Sequence, residues 1–130
     1  LDKNIFYNRK ITVGRGDIVK VKLFKKNLYL VDESYNSNPL SLKSALKNFD
    51  MIKVDNSKKH LVLGDMTELG KYSKKLHMEI GKSINKTSLK NINVIGAHVK
   101  WIFNNLNKSK RGIVIKKKSQ IIDLIKNNLN

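Results

Sequence analysis

The chain contains no cysteine, which excludes disulfides, zinc thiolate sites and a cysteine nucleophile, and nothing in it calls for an oxidising compartment. It has no apolar run of membrane-spanning length, and its first ten residues, broken by Asp2, Lys3, Asn4 and Asn8, hold no apolar stretch of the signal-peptide kind. A soluble, cytoplasmic protein with no membrane partner is expected. No Gly-x-Gly-x-x-Gly follows a strand and no Gly-Lys-Thr/Ser loop occurs, so both the dinucleotide fingerprint and a triphosphate cradle are missing. There is no Pro/Gly/Ser-rich linker and no internal repeat. At 130 residues and 40% hydrophobic content, the chain suits one domain with a single core.

Acidic residues are also scarce: ten Asp and Glu stand against 27 Lys and Arg, for a formal net charge of +17. Taken alone, that excess points to a polyanion, and a small basic nucleic-acid-binding protein is the alternative reading. Lys supplies nearly all of it, with only Arg9, Arg15 and Arg111 as guanidinium groups, whereas base and phosphate recognition favours the Arg fork. The Lys is spread over every element and accompanied by abundant Asn and Ile, which AT-rich codons also encode. A compositional drift explains the pattern without a specific nucleic-acid partner.

Apolar periodicity supplies the fold. Ile18, Val19, Val21, Leu23 and Phe24 alternate with Lys, then Lys25-Lys26-Asn27 leads to Leu28-Tyr29-Leu30-Val31, which reads as an antiparallel hairpin. Asn38 is placed to cap a helix with Pro39 at its first position and Leu42, Ala45, Leu46 and Phe49 on one face. A short strand, His60 to Gly64, leads to a Ser73-capped helix with Leu76, Ile80 and Ile84 in register. A strand over Asn91 to Ile95 precedes a helix bearing Val99, Ile102, Phe103 and Leu106. A last strand, Gly112 to Ile115, precedes a Ser119-capped helix with Ile122, Ile125 and Leu129. This alternation predicts an α/β fold of three layers, α/β/α, with a mainly parallel, Rossmann-like sheet and one antiparallel edge strand. Leu28 to Asp32 is expected within the parallel set.

Ligands of open α/β sheets bind beyond the carboxyl ends of the strands. Two loops lie there. Asp32 to Asn38 gathers two carboxylates, a hydroxyl, an aromatic ring and amides. Asp32 and Glu33 suit ribose hydroxyls, Tyr35 a stacked base, and Asn36 polar base edges, while Ser, Asn and Pro there also make ordinary turns and caps. In Gly64 to Gly70, Asp65 and Glu68 offer acid-base or magnesium chemistry, or simple capping. His60, His77 and His98 lack metal-ligand spacing, and a surface or capping role is expected of each. Trp101 is expected to pack or to lie partly exposed. Gly14-Arg15-Gly16 reads as a hinge or a close approach to a ligand.

Leu30-Val31-Asp32-Glu33-Ser34-Tyr35-Asn36-Ser37-Asn38-Pro39 with Leu42 to Ala45, Leu61-Val62-Leu63-Gly64-Asp65-Met66-Thr67-Glu68-Leu69-Gly70 with Ser73 and His77, and Gly14-Arg15-Gly16 upstream resemble three signatures, in order, of the carboxy-terminal domain of Mur-type ligases of the D-alanyl-D-alanine-adding type. The resemblance runs from about residue 11 to about residue 115. It implies an ATP-dependent ligase that phosphorylates the carboxylate of a UDP-N-acetylmuramoyl tripeptide and lets the amine of D-alanyl-D-alanine attack the acyl phosphate, in peptidoglycan precursor synthesis. It implies that residues 1–16 hold the end of a central domain and the interdomain junction, and that 17–130 form the closing domain, truncated before its last strand. Arg15, Asp32, Glu33, Tyr35 and Asn36 are thereby expected on the ATP side, and Asp65, Met66 and Glu68 in a substrate-side loop. No catalytic residue and no metal ligand is assigned within this stretch: Mg2+ is expected mainly on the central domain, the enzyme is expected to be a monomer, and this piece alone is expected to be inactive.

Overall fold

The computed structural model describes residues 18–23, 26–31 and 38–128. The chain divides into two compact units, Ser37–Lys116 and the pair Leu1–Asn36 with Lys117–Asn130.

The larger unit opens with helix α1, Pro39–Met51. Its start follows from local chemistry. Asn38 is extended, its side-chain oxygen accepts the Ser41 N–H at 2.9 Å, and the Ser41 hydroxyl accepts the Asn38 N–H at 3.3 Å. Two orphan donors are thus satisfied reciprocally, and Pro39 occupies a position whose missing N–H costs nothing. Leu46 is buried from this helix, with Leu42 and Phe49 packed beside it. Strand β3 follows at Leu61–Leu63, then helix α2 at Ser73–Asn85, strand β4 at Ile92–Ile95, the short helix α3 at Lys100–Asn104 and strand β5 at Arg111–Ile115.

β3, β4 and β5 form a three-stranded sheet in that order, parallel throughout, and the α/β class with a parallel sheet is what the alternation of strands and helices dictates. Leu61, Leu63, Ile92 and Val94 share one side of the pleat and meet Ile80 and Ile84 of α2, together with Val99, Ile102 and Leu106 around α3. Burying such side chains stabilises by about 1.5 to 3 kcal/mol each. Val62 and Ile95, on alternate positions, remain exposed.

The β4–β5 ladder slips by one residue: Ile92 pairs with Arg111, but Val94 pairs with Val114. The buried Asn93 fills that irregularity. Its amide donates to the carbonyls of Leu61 at 2.9 Å and Asn91 at 3.0 Å, and its oxygen accepts the Ile113 N–H at 3.0 Å. An asparagine inside a parallel strand therefore replaces the missing ladder bonds.

Two buried lysines anchor the opposite, amino-terminal edge of this sheet. Lys59 Nζ donates to the Asp50 carbonyl at 3.0 Å, near the end of α1. Lys110 Nζ donates to the carbonyls of Thr87 and Leu89 at 2.7 and 2.9 Å, just beyond α2. Lys59 lies where the last carbonyls of α1 run out of partners, and Lys110 satisfies the loop carbonyls that follow α2.

In the smaller unit, β1, Ile18–Leu23, pairs antiparallel with β2, Lys26–Val31. The hairpin matches the alternating pattern of the sequence. It forms its own two-stranded sheet, so the expected entry of Leu28 to Asp32 into the parallel set, and of an antiparallel strand onto its edge, is not among the described pairings. Helix α4, Lys118–Asn128, completes this unit.

Three helix boundaries differ from the sequence reading. Ser73 does not cap α2: the chain reaches it already wound, through a 3₁₀ turn at Gly70–Tyr72, and no side chain caps the helix. Ser119 lies inside α4, where the Gln120 amide oxygen takes up the Lys117 N–H at 2.9 Å. α3 ends before Leu106, because the Asn105 amide donates back to the Trp101 carbonyl at 2.7 Å and terminates the turn.

Candidate functional site

The carboxyl ends of β3 and β4 carry the segments Gly64–Gly70 and Gly96–Val99, and a single carboxylate ties them together. Asp65 Oδ1 accepts the N–H groups of His98 and Val99, both at 2.8 Å, and its Oδ2 accepts that of Ala97 at 3.0 Å. These are the orphan donors ahead of α3, and a carboxylate is the ligand best suited to them. The close approach explains Gly96. Its φ is +128°, and a Cβ there would lie 2.6 to 2.8 Å from the Asp65 carboxyl atoms, so both backbone conformation and space demand glycine.

The next residue is held from the other side. Met66 is buried, and its N–H donates to Nε2 of His77 at 3.1 Å. The opposite ring nitrogen, Nδ1, lies 2.7 Å from the Ser73 carbonyl. A carbonyl can only accept, so Nδ1 carries the proton and Nε2 accepts: His77 is the neutral tautomer with both nitrogens used. It is fully buried and not at the surface, a helix residue whose ring satisfies loop backbone. His98 stacks beside it with centroids 5.8 Å apart, and the half-buried Trp101 meets His98 edge-on at 5.1 Å.

With residues 65 and 66 fixed, the loop projects Thr67 and Glu68 outward. Glu68 is exposed and has φ of +62°, a left-handed conformation that costs on the order of 1 kcal/mol for a residue with a side chain. Gly70, at φ +55°, follows with no such cost. The arrangement is a turn pinned at two points with one carboxylate presented at its lip.

Among the expected site residues, Asp65, Met66 and Glu68 therefore come together here, with different duties: Asp65 spends both oxygens on backbone, Met66 packs inward, and Glu68 faces solvent. Arg15, Asp32, Glu33, Tyr35 and Asn36 lie outside the described residues. Among the described residues no group of three or more His, Asp or Glu side chains is placed to hold a metal ion. Gly96, His98 and Trp101 had no part in the sequence-based site. Ser73 and His77 did carry a signal, since a spacing of four puts them on one helix face directly above the loop.

His60 sits at the other edge, just before β3. Both its ring nitrogens are shielded from water without a hydrogen-bond partner, and burial pushes its pKa below the ordinary 6.5.

Residues 14–130 match the family described as Mur ligase, glutamate ligase domain. The UDP-N-acetylmuramoyl-tripeptide--D-alanyl-D-alanine ligase of Buchnera aphidicola is 36% identical over 135 residues, covering 91% of this chain and 29% of the relative. The enzyme of the same name from Rickettsia prowazekii is 32% identical over 93 residues, covering 72% and 19% respectively. In three dimensions the chain is similar to the crystal structure of MurF ligase from Thermotoga maritima in complex with ADP. The TM-score is 0.69 at 25% identity, over 91% of this chain and 25% of that one. The chain thus spans less than a third of the length of these relatives.

Proposed function

The chain belongs to the Mur ligase family, through its glutamate ligase domain, and from that premise we propose that it is the carboxy-terminal part of an ATP-dependent ligase that adds D-alanyl-D-alanine to UDP-N-acetylmuramoyl tripeptide. The observation that carries this reading is the turn after β3, pinned by Asp65 and His77 at the carboxyl edge of a parallel sheet, where α/β folds place ligands. The relatives named for that reaction support it.

In this reading the γ-phosphoryl group of ATP passes to the tripeptide carboxylate, and the dipeptide amine attacks the acyl phosphate and expels phosphate as the amide forms. The chain closes the site, excluding water from the acyl phosphate. Arg15 meets the nucleotide phosphates, Asp32 or Glu33 the ribose, and Tyr35 and Asn36 the base. Mg2+ is held by residues outside this chain. The loop from Asp65 to Glu68 faces the substrate: Asp65 and Met66 hold its shape and Glu68 offers its carboxylate to the incoming ammonium group before that amine is deprotonated. Residues 1–16 hold the end of a preceding domain and the interdomain junction, and the enzyme works as a cytoplasmic monomer. Among the residues whose side-chain exposure is described, Tyr72 is the exposed aromatic, and one ring by itself gives successive bases no stacking platform there.

The test is steady-state kinetics of the whole enzyme containing this domain. Glu68→Gln should raise KM for D-alanyl-D-alanine by roughly tenfold, the loss of one charge-assisted contact, with affinity for the UDP-linked substrate unchanged. An unaltered KM removes Glu68 from the substrate side. The 130-residue chain alone, which has no phosphate loop, should turn over no ATP.

A further inference from the structure

The outward face of α2 is unlike its inward one. His77, Ile80, Gly81 and Ile84 are buried on one side, and the opposite side displays Lys74, Lys75, Lys82 and, past the last turn, Lys86, with Lys71 ahead of the first; all five are exposed. Four of them, Lys71, Lys74, Lys75 and Lys82, surround Met78 and Glu79 in a shallow depression of about 380 Å³. Glu79 is the one carboxylate there, and it leans toward Lys43 of α1 at 4.0 Å. Like charges at this spacing repel and cost stability, so the face gains from a counter-charge supplied from outside. The 13-residue helix extends that row over about 20 Å.

We propose that this face docks on an anionic lipid surface. Three observations select that occupant. The cations are all lysines, point charges suited to a diffuse sheet of headgroups, whereas nucleic-acid phosphates and base edges favour the Arg fork. The face carries a single exposed ring, Tyr72, already covered by the Lys71 ammonium at 5.3 Å, so successive bases have nothing to stack on. The row is open along one side of a helix and presents Met78 at its centre, where long lysine stems splay and lie flat against an interface. No described helix is long and apolar enough to cross a membrane, and the association is electrostatic and peripheral. Such an association departs from the expectation of no membrane partner, which was drawn from the absence of spanning segments.

The experiment is co-sedimentation of the protein with vesicles of phosphatidylglycerol and phosphatidylcholine, against vesicles of phosphatidylcholine alone. Two variants carry equal charge changes: Lys71, Lys74, Lys75 and Lys82→Gln on the face, and Lys53, Lys58, Lys90 and Lys108→Gln elsewhere. Both sets are exposed, and retention of the wild-type thermal transition shows that each variant is folded. The face variant should lose roughly several hundredfold in affinity for anionic vesicles at low salt, each lysine contributing about fivefold, while the control variant loses about twofold. Binding should weaken steeply as salt rises. Equal loss in both variants would assign the attraction to net charge and overturn the proposal, as would equal binding to phosphatidylcholine alone. Displacement from vesicles by a single-stranded oligonucleotide bound more tightly through the same four lysines would give the face to nucleic acid instead.

Discussion

Asp65 satisfies three backbone donors with two oxygens, and that arithmetic makes its replacement informative. In Asp65→Asn one oxygen becomes an amide that faces N–H groups with its own hydrogens. We expect a loss of about 2 to 3 kcal/mol in stability, seen as a lower denaturation midpoint at unchanged slope. Gly96→Ala should cost at least as much, since its Cβ meets the same carboxylate, and the double variant should lose less than the sum of the two. His60 gives a pH dependence of opposite origin. Its folded-state pKa is depressed below 6.5 by burial, so the folded state favours the neutral ring. The stability it contributes is complete above the unfolded value and is lost as pH falls below 6.5 through the folded value. His60→Leu should flatten the stability profile as pH falls below 6.5. Equal slopes in the two proteins would assign the acid sensitivity to other groups.

At the scale of elements, the contact between α2 and α3 depends on having no side chain at Gly81. A Cβ there would approach the Ile102 carbonyl to 2.7 Å and the Asn105 Cβ to 2.9 Å. The backbone of a short helix cannot yield as a long side chain can, so Gly81→Ala should destabilise by about 2 kcal/mol despite its better helix propensity. Within the sheet, Asn93→Leu keeps the volume but strands the Ile113 N–H and the Leu61 carbonyl. The expected cost is about 3 kcal/mol. Hydrogen exchange should then show faster opening at Ile113 than at Val94, a distinction that general destabilisation would not produce.

For the whole molecule, the decisive quantity is the domain closure that the family reading implies. If Arg15 meets the nucleotide phosphates only on closure, Arg15→Ala in the whole enzyme should slow ligation by roughly a hundredfold, about 3 kcal/mol, and leave affinity for the UDP-linked substrate intact. Arg15→Lys should rescue poorly, because a point charge does not reproduce the planar fork. Near-normal ligation by Arg15→Ala would reduce the glycine-flanked arginine to a hinge residue and pass the nucleotide role to Glu33 and its neighbours.

Periodicity was enough to find the hairpin, the three parallel strands and the four helices, because burial on one face imposes a repeat of two or of 3.6 that any reader of the chain can see. The Asn38-Pro39 start of α1 was equally legible, since a cap is made by residues three apart. The order of motifs marked the family and the turn from Gly64 to Gly70. Everything that depends on residues distant in the chain had to wait for the fold. Asp65 lies 32 to 34 positions from the N–H groups it holds, and from the sequence its carboxylate was indistinguishable from that of Glu68. Only the tertiary structure separates them, because the approach of two strand ends consumes one carboxylate in backbone hydrogen bonds and leaves the other facing solvent.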